Sequence, residues 1–130
     1  MALQVELVSP ERILFQGDAE MVICRTLGGG EIAFLTGHAP FLGALAIAPV
    51  KILTVDGKTE VAAVHGGFVE VQDNLVTILS DVAELASQVD VERARKAKDA
   101  AERHGHTLED TEGEAALRRA HVRLEVAGHA

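Results

Sequence analysis

The sequence has 130 residues, 48% of them apolar, and twenty acidic side chains against twelve basic ones leave a formal charge of −8. That apolar fraction excludes wholesale disorder. With no Trp, no Tyr and only four Phe, a row of base-stacking aromatics is excluded, and the net sign argues against any nucleic-acid partner. The single Cys excludes an intrachain disulfide and a multi-cysteine metal site, and it suits a reducing compartment.

The chain opens on a predicted strand, because Leu3, Val5 and Leu7 alternate with Gln4 and Glu6. The first ten residues carry Glu6 and no basic n-region, so no secretory signal is expected. After Ser9-Pro10, β-rich runs are predicted at 13–15, 21–26, 31–35, 41–47, 50–55, 60–65, 68–71 and 75–79. Turn residues separate them: Gly17-Asp18, the glycines of 28–30, Gly37, Asp56-Gly57, Gly66-Gly67 and Asp73-Asn74. Asp56-Gly57 between two alternating runs is the strongest hairpin signal. The longest apolar run, 41–50, is about half the length of a membrane span. Many short strands with close turns predict a β-sandwich, or flattened antiparallel barrel, over residues 1–85.

Past that point the composition changes. Residues 1–85 hold four Lys or Arg and eleven Asp or Glu, whereas residues 86–130 hold eight and nine. Asp90 is a good N-cap for a helix running to about Arg103, with Ala94, Ala97 and Ala101 as its inward stripe. His104-Gly105-His106 would end that helix. Thr107 followed by Asp110 resembles a capping box opening a second helix to about Ala127, with Leu117, Ala120, Leu124 and Ala127 as its stripe. So short a connection predicts an antiparallel two-helix hairpin over 86–130. Alanine faces bury little area, at ~25 cal/mol per Å², so the hairpin is expected to dock on something or to change state.

Few residues suggest chemistry of their own. Gly28-x-Gly30-x-x-Ala33 fits a loose dinucleotide fingerprint, but a strand pattern follows where that fingerprint needs a helix, so a turn is expected. No His-x-x-x-His occurs, and no metal site is expected. No serine lies in a nucleophile elbow, and Cys24 in an apolar strand reads as an inert core thiol. No catalytic residue is expected. Arg119 and Arg123, four apart, share a helix face, which suits either solvated surface or an anion site.

Several motifs occur together: Gly37-His38-Ala39-Pro40, Gly66-Gly67-Phe68-Val69-Glu70-Val71, Val76-Thr77-Ile78-Leu79 and Val89-Asp90-Val91-Glu92-Arg93-Ala94. In that order, over nearly the whole chain, they resemble the epsilon-subunit family of bacterial F-type ATP synthase. The resemblance implies a non-catalytic central-stalk subunit that needs no cofactor. It would lie at the cytoplasmic face of the bacterial plasma membrane, held there through the complex. The implied partners of the β-sandwich are the gamma subunit and the ring of c subunits, with Glu31 in the ring-facing loop and His38 in the gamma-facing region. The implied partners of the extended hairpin are the beta and alpha subunits of the catalytic head, where it would inhibit ATP hydrolysis. A regulatory nucleotide site is implied at Glu84, Asp90, Arg93, Arg119 and Arg123, after the aliphatic Val89. The sequence departs from the pattern at Ala33 and Thr36, lacks a glycine after Pro49, which predicts a shortened turn there, and carries Ala100 where ATP-binding members have an arginine. ATP is therefore expected to bind weakly, at roughly millimolar affinity, since a lost charged hydrogen bond costs ~1–3 kcal/mol. The alternative function is a free-standing nucleotide-sensing module whose helices close on the ligand.

Overall fold

The computed structural model describes residues 2–103 and 111–129. The strands are β1 (Leu3–Ser9), β2 (Arg12–Thr26), β3 (Gly30–Leu35), β4 (Phe41–Thr54), β5 (Thr59–Gln72), β6 (Leu75–Leu79) and β7 (Ala83–Leu85). A 3-10 turn (Ala86–Gln88) leads to helices α1 (Val91–Arg103) and α2 (Thr111–Ala127). The strands run in the order β1-β6-β5-β4-β2-β3, and β1 also pairs with β2, so the sheet closes on itself. The ladders are antiparallel except β1 with β6, which are parallel. The expected flattened barrel followed by two helices is therefore present, with one parallel seam.

Alternation builds the core as expected: Leu3, Val5 and Leu7 are fully buried. They join Val22, Cys24, Phe34, Ile52, Val64, Val69, Val71, Val76 and Ile78 inside the barrel. Burial pushes the Cys24 thiol up to about 12, which makes it the inert core thiol the sequence predicts. The Asp56-Gly57 hairpin is also present. Gly57 takes φ +88°, its N–H bonds the Thr54 carbonyl at 3.1 Å, and the Thr54 hydroxyl donates to the Asp56 carboxylate. Asp73 and Asn74, both at positive φ, form the next tight turn, the backbone that a two-residue hairpin favours.

Three of the expected breaks are not breaks. Gly17-Asp18 stands inside β2, opposite Val5 and Gln4. Gly66-Gly67 stands inside β5, at a point where the β4 ladder steps from Leu45↔Gly67 to Ile47↔His65. Both strands are long because they change partners along their length, β2 from β1 to β3 and β4, and β5 from β7 to β6, and two short runs become one. Gly67 is required there: at φ +120° a Cβ would lie 2.0 Å from the Leu79 carbonyl oxygen. Nor is there a turn at Pro49, which pairs with Ala63 inside β4. The β2 ladder skips from Lys51 to Leu45 on its other side, so the missing N–H costs no ladder bond. The run at 41–47 and that at 50–55 are thus a single strand.

The helices also differ from their predicted stripes. Asp90 caps α1 as expected, its Oδ1 accepting from the Arg93 N–H at 3.1 Å. Ala94 and Ala101 are buried, but Ala97 is exposed. On α2, Ala120 is buried while Leu117, Leu124 and Ala127 are only half-buried. The most buried residues of its second half include Val122 and Val126, which pack with Val61 and Ala63 of β5 and with Ile47, Ala86 and Val89. Helix α2 therefore has two apolar faces, one toward α1 and one toward β4 and β5. The expected helix end at His104-Gly105-His106 and the capping box at Thr107 and Asp110 lie outside the described residues.

Candidate functional site

The five residues read as a nucleotide site come together. Alternation in β7 turns Ala83 and Leu85 toward the barrel interior and Glu84, opposite Ala63, toward α2. The Asp90 cap sets Arg93 in the first turn of α1. One helical turn separates Arg119 from Arg123 on α2. Glu84, Asp90, Arg93, Arg119 and Arg123 then line one open cleft of about 400 Å³, together with Val82, Ala94, Ala97 and Ala116. Ala97, exposed on α1, is among the lining residues. Ala100 is not part of the lining.

Charges in the cleft are partly paired. Arg123 Nε donates to Glu84 Oε1 at 2.5 Å, and Arg119 Nη2 donates to Glu112 Oε1 at 2.8 Å. Among the described residues no carboxylate pairs with the Arg93 guanidinium. Three guanidinium groups at one opening can take a polyanion bidentately, while two carboxylates can accept from an amine. Strand β7, α1 and α2 all contribute to the cleft, so its shape depends on how they pack together.

A residue that sequence reading passed over lies beneath. His65 follows Val61 and Ala63 on the α2-facing side of β5, and its side chain is only 3% exposed. Its Nε2 is 3.6 Å from Glu84 Oε1, beyond hydrogen-bond distance. Neither ring nitrogen has a hydrogen-bond partner. Burial, with Arg123 beside it, lowers its pKa to about 4, against the opposing pull of Glu84. The signal available in the sequence was a histidine in the third position of an otherwise apolar alternating row.

Glu31 and His38 stand apart from the cleft, near opposite ends of β3. Glu31, across the ladder from Arg25, makes an exposed ion pair with it at 3.7 Å. The turn of 27–29 precedes it, and strand follows Gly30, so the glycines form a turn and no dinucleotide loop. His38 follows the strand; its ring lies edge-on to Phe34 at 4.9 Å, and its N–H bonds the Leu35 carbonyl at 3.1 Å.

A second feature was missed in the sequence. Phe68 is 57% exposed and contributes nothing to the core. It stands opposite Leu79, which stands opposite Val8, which stands opposite Ile13. Ile13, Leu79 and Phe68 are all more than half exposed. A row of apolar side chains thus crosses four adjacent strands on the outer face, the kind of patch that marks an interaction surface. Period-two reading would have found it, since Val69 and Val71 point inward and so Phe68 shares its face with Glu70.

Among the described residues, no group of three His, Cys, Asp or Glu side chains can hold a metal ion, and no helix is long and apolar enough to cross a membrane.

Comparison with known proteins gives consistent matches. Residues 2–86 match the family model of the ATP synthase delta/epsilon chain β-sandwich domain. The chain is 45% identical over 126 residues to the ATP synthase epsilon chain of Streptomyces coelicolor, covering 96% of this chain and 94% of that one. It is 44% identical over 129 residues to that of Bacillus pumilus, covering 97% of each. Among solved structures it is similar to a chain in the Euglena gracilis mitochondrial ATP synthase, in an assembly of OSCP, F1 and c-ring. The TM-score is 0.81 at 26% identity, covering 98% of this chain and 82% of that one. It shares its fold with a chain from the Tetrahymena thermophila central stalk and c-ring, at TM-score 0.60 and 18% identity over 97% and 93% of the two chains.

Proposed function

The chain belongs to the delta/epsilon family of ATP synthase chains, non-catalytic stalk subunits of the F-type enzyme, and from that premise we propose that its two parts do different work. The barrel couples the rotor: it binds the gamma subunit and rests on the ring of c subunits, at the cytoplasmic face of the membrane. The hairpin regulates: released from the barrel, it extends toward the beta and alpha subunits and inhibits ATP hydrolysis.

The observation that carries the coupling role is the apolar row Ile13–Val8–Leu79–Phe68. Its exposure has no use in a free-standing nucleotide sensor, and it suits burial against a stalk partner. Glu31, exposed at the start of β3, remains the candidate for the ring-facing contact, and His38 for the gamma-facing one. The regulatory role is supported by how little holds α2: Val122 and Val126 on one small patch, with one partly exposed ion pair beside it. Two arrangements of such a hairpin can differ by only a few kcal/mol. The helices also carry eight of the twelve Lys and Arg residues, which suits contact with an acidic segment of the catalytic head.

ATP is the proposed regulatory ligand of the cleft. Its phosphates would take Arg93 and Arg119, and would compete with Glu84 for Arg123. The Asp90 carboxylate oxygen not used for capping could accept from the adenine amino group. A ligand that binds only the docked form favours that form by RT ln(1 + [L]/Kd), so ATP would hold the hairpin down and relieve inhibition. Co-purification tests the stalk reading. The chain must come down with gamma, and recovery of free chain alone would contradict it.

A further inference from the structure

We propose that His65 is a proton-binding site that opposes docking of the hairpin, so that a proton taken up on its imidazole releases α2 from the barrel. The inference rests on the reading above that the hairpin docks and leaves; it adds what controls the step.

The argument is geometric. Val61, Ala63 and His65 occupy alternate positions on the outward face of β5, and α2 covers that face with Val122 and Val126. Val61 and Ala63 meet valine side chains. His65 meets the charged edge of the same helix, yet neither of its buried nitrogens has a hydrogen-bond partner, and Nε2 stands 3.6 Å from the Glu84 carboxylate. An imidazole so buried costs far more when charged than when neutral.

The surrounding charges make protonation harder still. Arg119 and Arg123 approach from α2, and Glu84 approaches from β7 at 3.6 Å. That one carboxylate is already engaged by Arg123. Asp90 and Arg93 of α1 lie across the cleft, beyond Glu84. On the other side, Asp81 shares with His65 the wall of a pocket of about 270 Å³. From β4 the facing residue is Ile47, which carries no charge. A protonated His65 would add a cation beside two guanidinium groups and one occupied carboxylate. When α2 leaves, both arginines leave with it, water reaches the ring, and Glu84 stays.

The sign follows. Docked, the imidazole titrates at about 4; released, it regains an ordinary value of about 6.5. Between those values the released form binds the extra proton, so docking weakens as pH falls below about 6.5 and is indifferent to pH above it. From pH 7.5 to 5.5 the docking equilibrium should shift roughly tenfold toward release.

The test uses the full chain. Histidine ring signals are followed by NMR between pH 8 and 4.5, with the His65 signal assigned by its loss in His65→Gln. Exchange of the α2 amides, corrected for the intrinsic rate, reports docking. Val122→Asp serves as the released reference. The proposal expects a neutral His65 ring down to about pH 5 in docked protein, and α2 protection about tenfold lower at pH 5.5 than at 7.5. It expects no such loss in His65→Gln, and titration near 6.5 in Val122→Asp. A His65 ring that titrates near 6.5 while α2 stays protected would overturn it, and so would an undiminished pH effect in His65→Gln. Unchanged α2 protection in Val122→Asp would instead overturn the docked-and-released hairpin, and the proton site with it.

Discussion

Arg123 and Glu84, 39 residues apart in the chain, meet at 2.5 Å, Nε to Oε1, and join helix α2 to strand β7. Both side chains keep about a quarter of their surface in water. A pair so exposed stabilises by ~0.2–1 kcal/mol, so it fixes where α2 sits more than how firmly. The firmness comes from two valines. The same guanidinium also lines the cleft, so any phosphate that binds there must share or replace the contact with Glu84.

If the valines hold the hairpin, shortening one should loosen α2 alone. Val126→Ala removes two buried methyl groups from a fully buried position and should cost ~1–2 kcal/mol of docking. Amide exchange should then quicken roughly tenfold across α2 while the amides of β1 and β6 keep their rates. An equal quickening in the barrel core would show that barrel and hairpin open as one unit.

Gly67 should tolerate no side chain. Gly67→Ala places a Cβ 2.0 Å from the Leu79 carbonyl oxygen at φ +120°, and backbone must move to admit it. We expect a loss of about 2 kcal/mol or more, read as a lower midpoint in thermal unfolding. A midpoint within a degree of the parent's would contradict the close approach of β5 and β6.

The barrel was legible in the sequence because period two and turn chemistry act locally. Leu3, Val5 and Leu7 point inward, Asp56-Gly57 turns, and Asp90 caps, each for reasons carried by its own neighbours. The misreadings at Gly17-Asp18, Pro49 and Gly66-Gly67 share one cause. A glycine or proline marks a backbone need, and only the partner strand decides whether that need is a turn or a bend. The five cleft residues were named from a family resemblance rather than from spacing. Their convergence depends on how α1 and α2 meet β7, which no local pattern encodes. Val122 and Val126 were missed because a single stripe was sought on a helix that is buried on two sides. His65 was missed because its place in the row of Val61 and Ala63 gains meaning only once α2 is known to cover that face.

The apolar row should matter to a partner and not to the fold. Phe68→Glu changes a side chain that is more than half exposed, so unfolding of the isolated chain should shift by no more than ~0.5 kcal/mol. Binding to the gamma subunit should weaken by tenfold or more, since a charge would be buried against an apolar surface. Co-purification with gamma at parental yield would exclude the row as the contact.

ATP should bind the isolated chain weakly, at roughly millimolar Kd, and Arg93→Ala or Arg119→Ala should weaken it further by about tenfold, the worth of one charged hydrogen bond. Calorimetry reads both. Binding that survives both substitutions unchanged would locate the nucleotide elsewhere.

The most direct test of the account is steady-state ATP hydrolysis by the assembled synthase containing this chain cut after Ser87, compared with the full-length chain. The barrel alone should still join the complex, with gamma and the c-ring retained in full, and hydrolysis should rise. Hydrolysis equal to that of the full-length complex across a range of ATP concentrations would contradict the hairpin's inhibitory role.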